Sequence, residues 1–435
     1  GFLGLTSDTP RDDKQALPVL HRGPAFDTSS TLTVTTDDWP TYRHDMRRSG
    51  AIEGDGPENL EQLWQTNVAP RSDHEQAQNG ETSLALADEW LHKNGGWLSA
   101  PIIAGGIAFV AVSDRQQLHA LNAVTGKPIW TFSSAGRIDC PPTIEQGRCL
   151  LGCRDGWVYC LQASSGELAW RRRAAPSDQR IVAYGQLESP WPVVGGVLAM
   201  NGMAYYGVGR HAGSDGGLTV QAVDPLTGEL AWSAKPEGFP GVPDILIGDG
   251  EQVQMASWQF NAKTGKNGAS SSTLLRGGRL GLLNDAWYLR PIAIRKGLQG
   301  WTASNRPAGQ LLSMTATATY GFTAPKVNGG TGVLSEKGKL FHTPLKSDGT
   351  PWSIAMATQA RPRAMVVAGT RLYVAGRLDP EKSPHELLRI YATKDGQQLD
   401  EIQLPVNVVH DGLAVARGRL YVSLENGQLL CLGTK

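Results

Sequence analysis

The sequence predicts an all-β protein of repeated four-stranded antiparallel sheets, an eight-bladed β-propeller with seven blades as the alternative count. Three observations predict it. A phrase of turn, glycine and tryptophan recurs, as "LNAVTGKPIWTF" at 121–132 and "LQASSGELAW" at 161–170. Short runs rich in β-branched and aromatic residues alternate with Gly, Asn and Asp turns. No long stretch carries the 3.6-residue apolar period of a helix.

The elements follow in order. Strand-like runs include "GGIAFVAVSD", "QLHALNA", "WVYCLQA", "MAYYGVGR", "LTVQAVD", "TRLYVAG" and "GRLYVSLENGQLLCLG". Each unit reads as an apolar strand, a "GG" or "NG" turn, a strand, a "DG" turn, a strand ending in Leu, and then "A-x-T-G-K/E-x-x-W". Its turn glycines stand at Gly126, Gly166, Gly228 and Gly265, with a degenerate copy at Gly396. Repeats of roughly 40–50 residues with four strands each are the signature of a propeller, whose sheets bury their faces only against neighbours around an axis. Units are expected to begin near residues 97, 136, 185, 241, 278, 316, 353 and 406. The last ends after three strands, and "LEQLWQTNV" at 61–69 can supply its outer strand and close the ring. One propeller domain is therefore expected over 37–435, preceded by a polar linker over 1–36.

Composition excludes several function classes. Forty-one Lys plus Arg balance 41 Asp plus Glu, so no basic field attracts nucleic acid. Fifty-two Gly and 26 Pro suit many turns, while 13 Trp and 40% apolar residues exclude a disordered polymer. No run of about 18 apolar residues is present to span a membrane. The start, "GFLGLTSDTPRDDKQ", is not an intact signal peptide, so a signal has been removed or the chain is part of a longer one.

The cysteines are Cys140, Cys149, Cys153, Cys160 and Cys431, an odd number. If "CRDG" forms a hairpin loop that pairs Gly152 with Trp157, Cys149 faces Cys160, and a cross-strand disulfide becomes possible. Buried thiols acting as small apolar groups are the alternative. The spacing is not that of a zinc site.

The strand-turn-"TG-x-x-x-W" unit resembles the repeat of the pyrroloquinoline-quinone-like propellers, a family that includes quinoprotein dehydrogenases and the propeller lipoprotein of outer-membrane assembly. "DDWPTYRHDMRRSGA" at 37–51 and "RIVAYGQLESPWPV" at 180–193 resemble a narrower, planctomycete-type subgroup without an established reaction. The resemblance covers most of the chain from Asp37 onward and implies export to the periplasm or outside. The family's dehydrogenases hold pyrroloquinoline quinone with calcium and usually carry a vicinal Cys-Cys disulfide. This chain has no adjacent cysteines, and no motif places the family's Asp, Glu and Asn set, so that cofactor is not expected and no metal site is assigned.

Departures from the repeat are the better guide to function, because the architecture does not require them. At the strand entries that meet at one channel mouth stand Arg137 and Asp139, then Gln186, Glu188 and Trp191. Asp285, Trp287, Tyr288 and Arg290 follow, then Arg361 and Arg363, and finally His410 and Asp411. Arginines clamp anions and aromatic faces stack on sugars, so these residues suit a polar ligand. Mutual pairing of the charges is equally open. His211 and Asp215 in "GVGRHAGSDGG" read as a loop, and "TYRHDMRRSG" as packing over the propeller base with Arg–Asp pairing.

Two function classes remain. One is a non-catalytic, monomeric module that binds a polar small molecule, a glycan or a protein. The other is a polysaccharide-acting enzyme with acid/base work by Glu188, His410 or Asp411 and anion clamping by Arg290 and Arg363. A quinoprotein dehydrogenase is the minor alternative.

Overall fold

The computed structural model describes residues 3–5, 19–29, 32–70, 98–183, 186–237, 241–268, 307, 309–323, 337–346 and 349–434. Apart from one short 3-10 turn at Ser113–Arg115, every regular element among them is a strand. No helix among the described residues is long and apolar enough to cross a membrane.

Among the described residues, seven mainly antiparallel sheets follow one another along the chain as blades. Their innermost strands are Ile102–Ala104, Thr143–Glu145, Val193–Met200, Leu246–Gly248, Leu311–Met314, Arg361–Ala368 and Val408–Ala416. These start within eight residues of seven of the eight expected positions. The unit expected near 278 falls outside the described residues. Blade four shows three strands among the described residues and the others four or five. Blade seven takes its outer strand from Glu61–Asn67, which pairs antiparallel with Gln428–Gly433, as the sequence anticipates.

A single device joins blade to blade. Trp64, Trp130, Trp170, Trp232 and Trp352 each lie over the turn glycine of the next blade, at Gly126, Gly166, Gly228, Gly265 and Gly396. Each indole N–H donates to a backbone carbonyl in that turn: Ala123, Ala163, Pro225, Ala262 and Thr393, at 2.9–3.1 Å. All five glycines have positive φ, and a Cβ on any of them would lie 2.6–2.8 Å from a ring atom. Glycine is required there twice over, by backbone and by ring. Asn122, Asp224 and Asn261 hold three of these turns by accepting two backbone N–H groups each on a side-chain oxygen.

The base is closed by the segment 37–52, which touches all seven blades. Trp39 exchanges backbone bonds with Ile103 of blade one, and Pro40 accepts from Ile144 of blade two. Arg48 donates to Val197 and Leu246 carbonyls of blades three and four, and Ser49 accepts from Met314 of blade five. Ala51–Ile52 pairs parallel with blade six, and Asp37 accepts from Arg417 of blade seven. The belt was expected to pack here, and its side chains also rise into the axis. Tyr42, Arg43 and Arg48 are all at most 5% exposed.

Residues 1–36 are not simply a linker. Leu20–Arg22 forms a fifth strand on the outer edge of blade two, pairing with Trp170–Arg172. Arg148 bonds the Ala25 and Phe26 carbonyls at 3.0 Å, and Gly23 lies against Leu168 too closely for any Cβ. An outer strand with unpaired backbone groups accepts another strand readily, and the polar composition of the segment concealed this. Leu3–Leu5 enters a separate small sheet, paired with Arg180–Ala183.

The disulfide expectation is corrected. Gly152 pairs with Val158, so Cys149 faces Leu161, and Cys160 faces Leu150. The loop is one residue longer than "CRDG" suggests, and a one-residue shift turns the two thiols to opposite faces of the sheet. Cys149 packs in the core shared by blades one, two, six and seven, and Cys160 in the core between blades two and three. All five cysteines are free and buried.

Candidate functional site

The irregular residues stand where the topology puts them, at entries of innermost strands and in the second-to-third-strand hairpin turns of the same face. The structure draws them into two groups.

The first group lies over blades one to three. Arg137 and Asp139 precede the inner strand of blade two, and Arg154 and Asp155 form its hairpin turn. Gln186 and Glu188 lie on the hairpin formed by Arg180–Ala183 and Gln186–Glu188, and Arg210 follows the second strand of blade three. Asp139 accepts from Arg137 at 2.8 Å and also from Arg154. Glu188, with no exposed surface, accepts from Arg154 at 3.2 Å and from Arg210. The result is an alternating chain of three guanidiniums and two carboxylates. Burial pushes Asp139 up, but Arg137 and Arg154 outweigh it and hold its carboxyl down to about 2. Burial, the largest single effect, lowers Arg137, but Asp139, Glu188 and Asp114 together outweigh it and hold its guanidinium above the ordinary value.

The neighbouring backbone is fixed by the same chain. Arg154 N–H donates to the Arg137 carbonyl at 2.9 Å, and Ser189 N–H to the Arg154 carbonyl at 2.7 Å. Gln186 donates to the Asp114 carbonyl at 3.2 Å. Asp155 caps its own turn, accepting from Trp157 N–H at 3.0 Å and from the Tyr159 hydroxyl at 2.5 Å. Trp191 donates to the Asp215 carbonyl, which ties the 209–217 loop to the group. His211 accepts within that loop from Gly213 N–H.

The second group lies over blades six and seven. Arg363 pairs with Glu425, whose other oxygen accepts from Asn407 at 2.8 Å. Asp411, at positive φ, accepts from Arg43 at 2.7 Å and from the Tyr42 hydroxyl at 2.5 Å. His410 stands 3.7 Å from Asp411. Burial pushes His410 below its ordinary value against the opposing pull of Asp411, and pushes the Glu386 carboxyl up. Arg361 is exposed at the blade edge, opposite Arg377.

Thus Asp139, Gln186, Glu188 and Trp191 come together, and Arg363, His410 and Asp411 form a separate group. Asp285, Trp287, Tyr288 and Arg290 lie outside the described residues. Sequence reasoning missed Arg154 and Arg210, which join the first group, and placed Arg43 in the base segment without identifying Asp411 as its partner. Arg154 was hidden inside an ordinary turn tetrad, and only an Arg-Asp pair flanked by apolar strands hinted at its burial.

In fold and repeat the chain is similar to the β-propellers of pyrroloquinoline-quinone-like repeats. Residues 56–245 match the family model described as outer membrane protein assembly factor BamB. The dehydrogenase subunit of the quinone alcohol dehydrogenase of Gluconobacter oxydans is 28% identical over 201 residues, 41% of this chain and 24% of that protein. The quinoprotein ethanol dehydrogenase of Pseudomonas aeruginosa is 26% identical over 249 residues, 52% of this chain and 37% of that protein. The matches therefore span 24% and 37% of these two relatives' lengths. Among solved structures, a europium-containing methanol dehydrogenase superposes with TM-score 0.51 at 12% identity, over 89% of each chain, a likeness of fold.

Quinone and calcium, which such relatives suggest, need uncommitted carboxylates in the channel. Asp411 is taken by Arg43 and Tyr42. Among the described residues no group of three or more His, Cys, Asp or Glu could hold a metal ion. The described residues do not fit that cofactor.

Proposed function

We propose that this chain is a non-catalytic binding and scaffolding propeller, working outside the cytoplasm, whose mouth holds a polar ligand, a glycan or a partner protein. One observation carries the reading: among the described residues, the mouth carboxylates Asp139, Glu188 and Asp411 are committed to interior partners. Asp139 and Glu188 each serve two arginines, and Asp411 serves Arg43 and Tyr42. A general acid needs a pKa near the working pH and reach to a substrate, and Asp139 at about 2 lacks the first. The outer-membrane assembly description of the matching family model supports an exported scaffold.

The test sets binding against turnover. The protein is incubated with dextran, polygalacturonate and an acidic peptide, while melting temperature and release of reducing ends are followed. The expected result is a melting shift with at least one probe and no reducing ends. Release of reducing ends that E188Q abolishes would establish the polysaccharide-cleaving enzyme instead.

The named relatives favour a second reading, quinone-dependent alcohol oxidation. Dye reduction by an alcohol, seen only after adding pyrroloquinoline quinone and calcium, would establish it.

A further inference from the structure

The small sheet beside the mouth lies outside the blade repeat. Its hairpin, Arg180–Ala183 with Gln186–Glu188, is inserted between the outer strand of blade two and the inner strand of blade three. A propeller does not need it. Yet the first group of charges holds it at several points: Glu188 through Arg154 and Arg210, Ser189 through the Arg154 carbonyl, Gln186 through the Asp114 carbonyl, and Arg180 through the Asp155 carbonyl at 2.5 Å. The arginine–carboxylate chain thereby fixes one exposed sheet edge.

We infer that this edge is a strand-addition site for an extended apolar segment of a partner protein, and that Leu3–Leu5 occupies it as an intramolecular stand-in. The inference rests on the reading of the mouth as a binding face and names the partner class. Leu3, Gly4 and Leu5 pair antiparallel with Val182, Ile181 and Arg180. Val182 lies directly opposite Leu187, which is 49% exposed, so an incoming residue across from Val182 extends an apolar row. Backbone bonds give such addition its affinity, and the side-chain row gives its selectivity.

Leu3–Leu5 offers that edge only three residues of pairing. Residues 6–18 join it to the segment that begins at Val19, whose carbonyl accepts from Arg173 N–H at 2.8 Å. A strand of three residues forms few ladder bonds and competes weakly with a longer one. A longer strand from a partner forms more pairs and displaces it.

The probe is a fluorescent peptide, GFLGLTSD, matching residues 1–8. Its binding is measured by polarisation to the full chain and to a variant lacking residues 1–5. Deletion is expected to strengthen binding at least tenfold, with melting unchanged. The same peptide carrying Leu3→Pro and Leu5→Pro, which cannot complete the ladder, is expected not to bind. No binding to the folded deletion variant, or equal binding of the proline peptide, would overturn the inference. So would dimerisation of the full chain that the deletion removes, because the occupant would then be a second copy. If dextran, polygalacturonate or the acidic peptide shifts melting while GFLGLTSD fails, only this inference falls. If all four probes fail, the binding reading falls with it.

Discussion

The rim and the mouth are built on opposite principles. Around the rim, five tryptophans each repeat one contact, a ring over a glycine with one N–H to a carbonyl. At the mouth no contact is repeated: three arginines and two carboxylates from five different chain positions interlock. Each rim dock is local and its energy comes from apolar burial, so docks should act independently. The mouth chain shares its partners, so removing one member leaves others as buried unpaired charges.

The largest expected effect is at the rim. Trp170→Ala removes a fully buried ring and its hydrogen bond to Pro225, and should cost about 4 kcal/mol in chemical denaturation while leaving mouth binding intact. Loss of binding with little loss of stability would blur the division. Next comes Arg154→Met, which takes one of two arginines from both Asp139 and Glu188 and should cost about 3 kcal/mol. Unlike the rim variant, it should also loosen the 180–188 hairpin, seen as faster amide exchange there. Combined with Trp130→Ala, on the far side of blade two, the two costs should add to within about 0.5 kcal/mol. The smallest effect is none at all: dithiothreitol should leave the melting temperature unchanged, and mass spectrometry without reduction should find five free thiols.

The rim was legible in the sequence because its chemistry is local. A turn needing positive φ and a tryptophan a few residues on repeat at readable spacing, from Gly126–Trp130 to Gly228–Trp232, and even the closing strand carries its own Trp64. The mouth was legible only in part. Asp139, Glu188 and Asp411 stood out as charges where a repeat should be apolar. Their partners did not, because Arg154 sits in a turn, Arg210 in a glycine-rich loop, and Arg43 lies 368 positions from Asp411. The cysteine pairing failed for a related reason. Strand register depends on one loop residue, which "CRDG" alone does not determine. Likewise the polar 1–36 segment gave no period by which to see that Leu20–Arg22 completes a sheet edge.

The central claim is that the mouth carboxylates are structural. A carbon-13 NMR titration of the Asp139 carboxyl tests it most directly. Its folded value lies below that of the unfolded chain, so it adds stability above about pH 4 that is lost as pH falls towards 2. The account predicts a midpoint near 2, with the denaturation free energy falling over the same interval. A midpoint of 5 or above would mean an acid poised for proton transfer and would contradict the account.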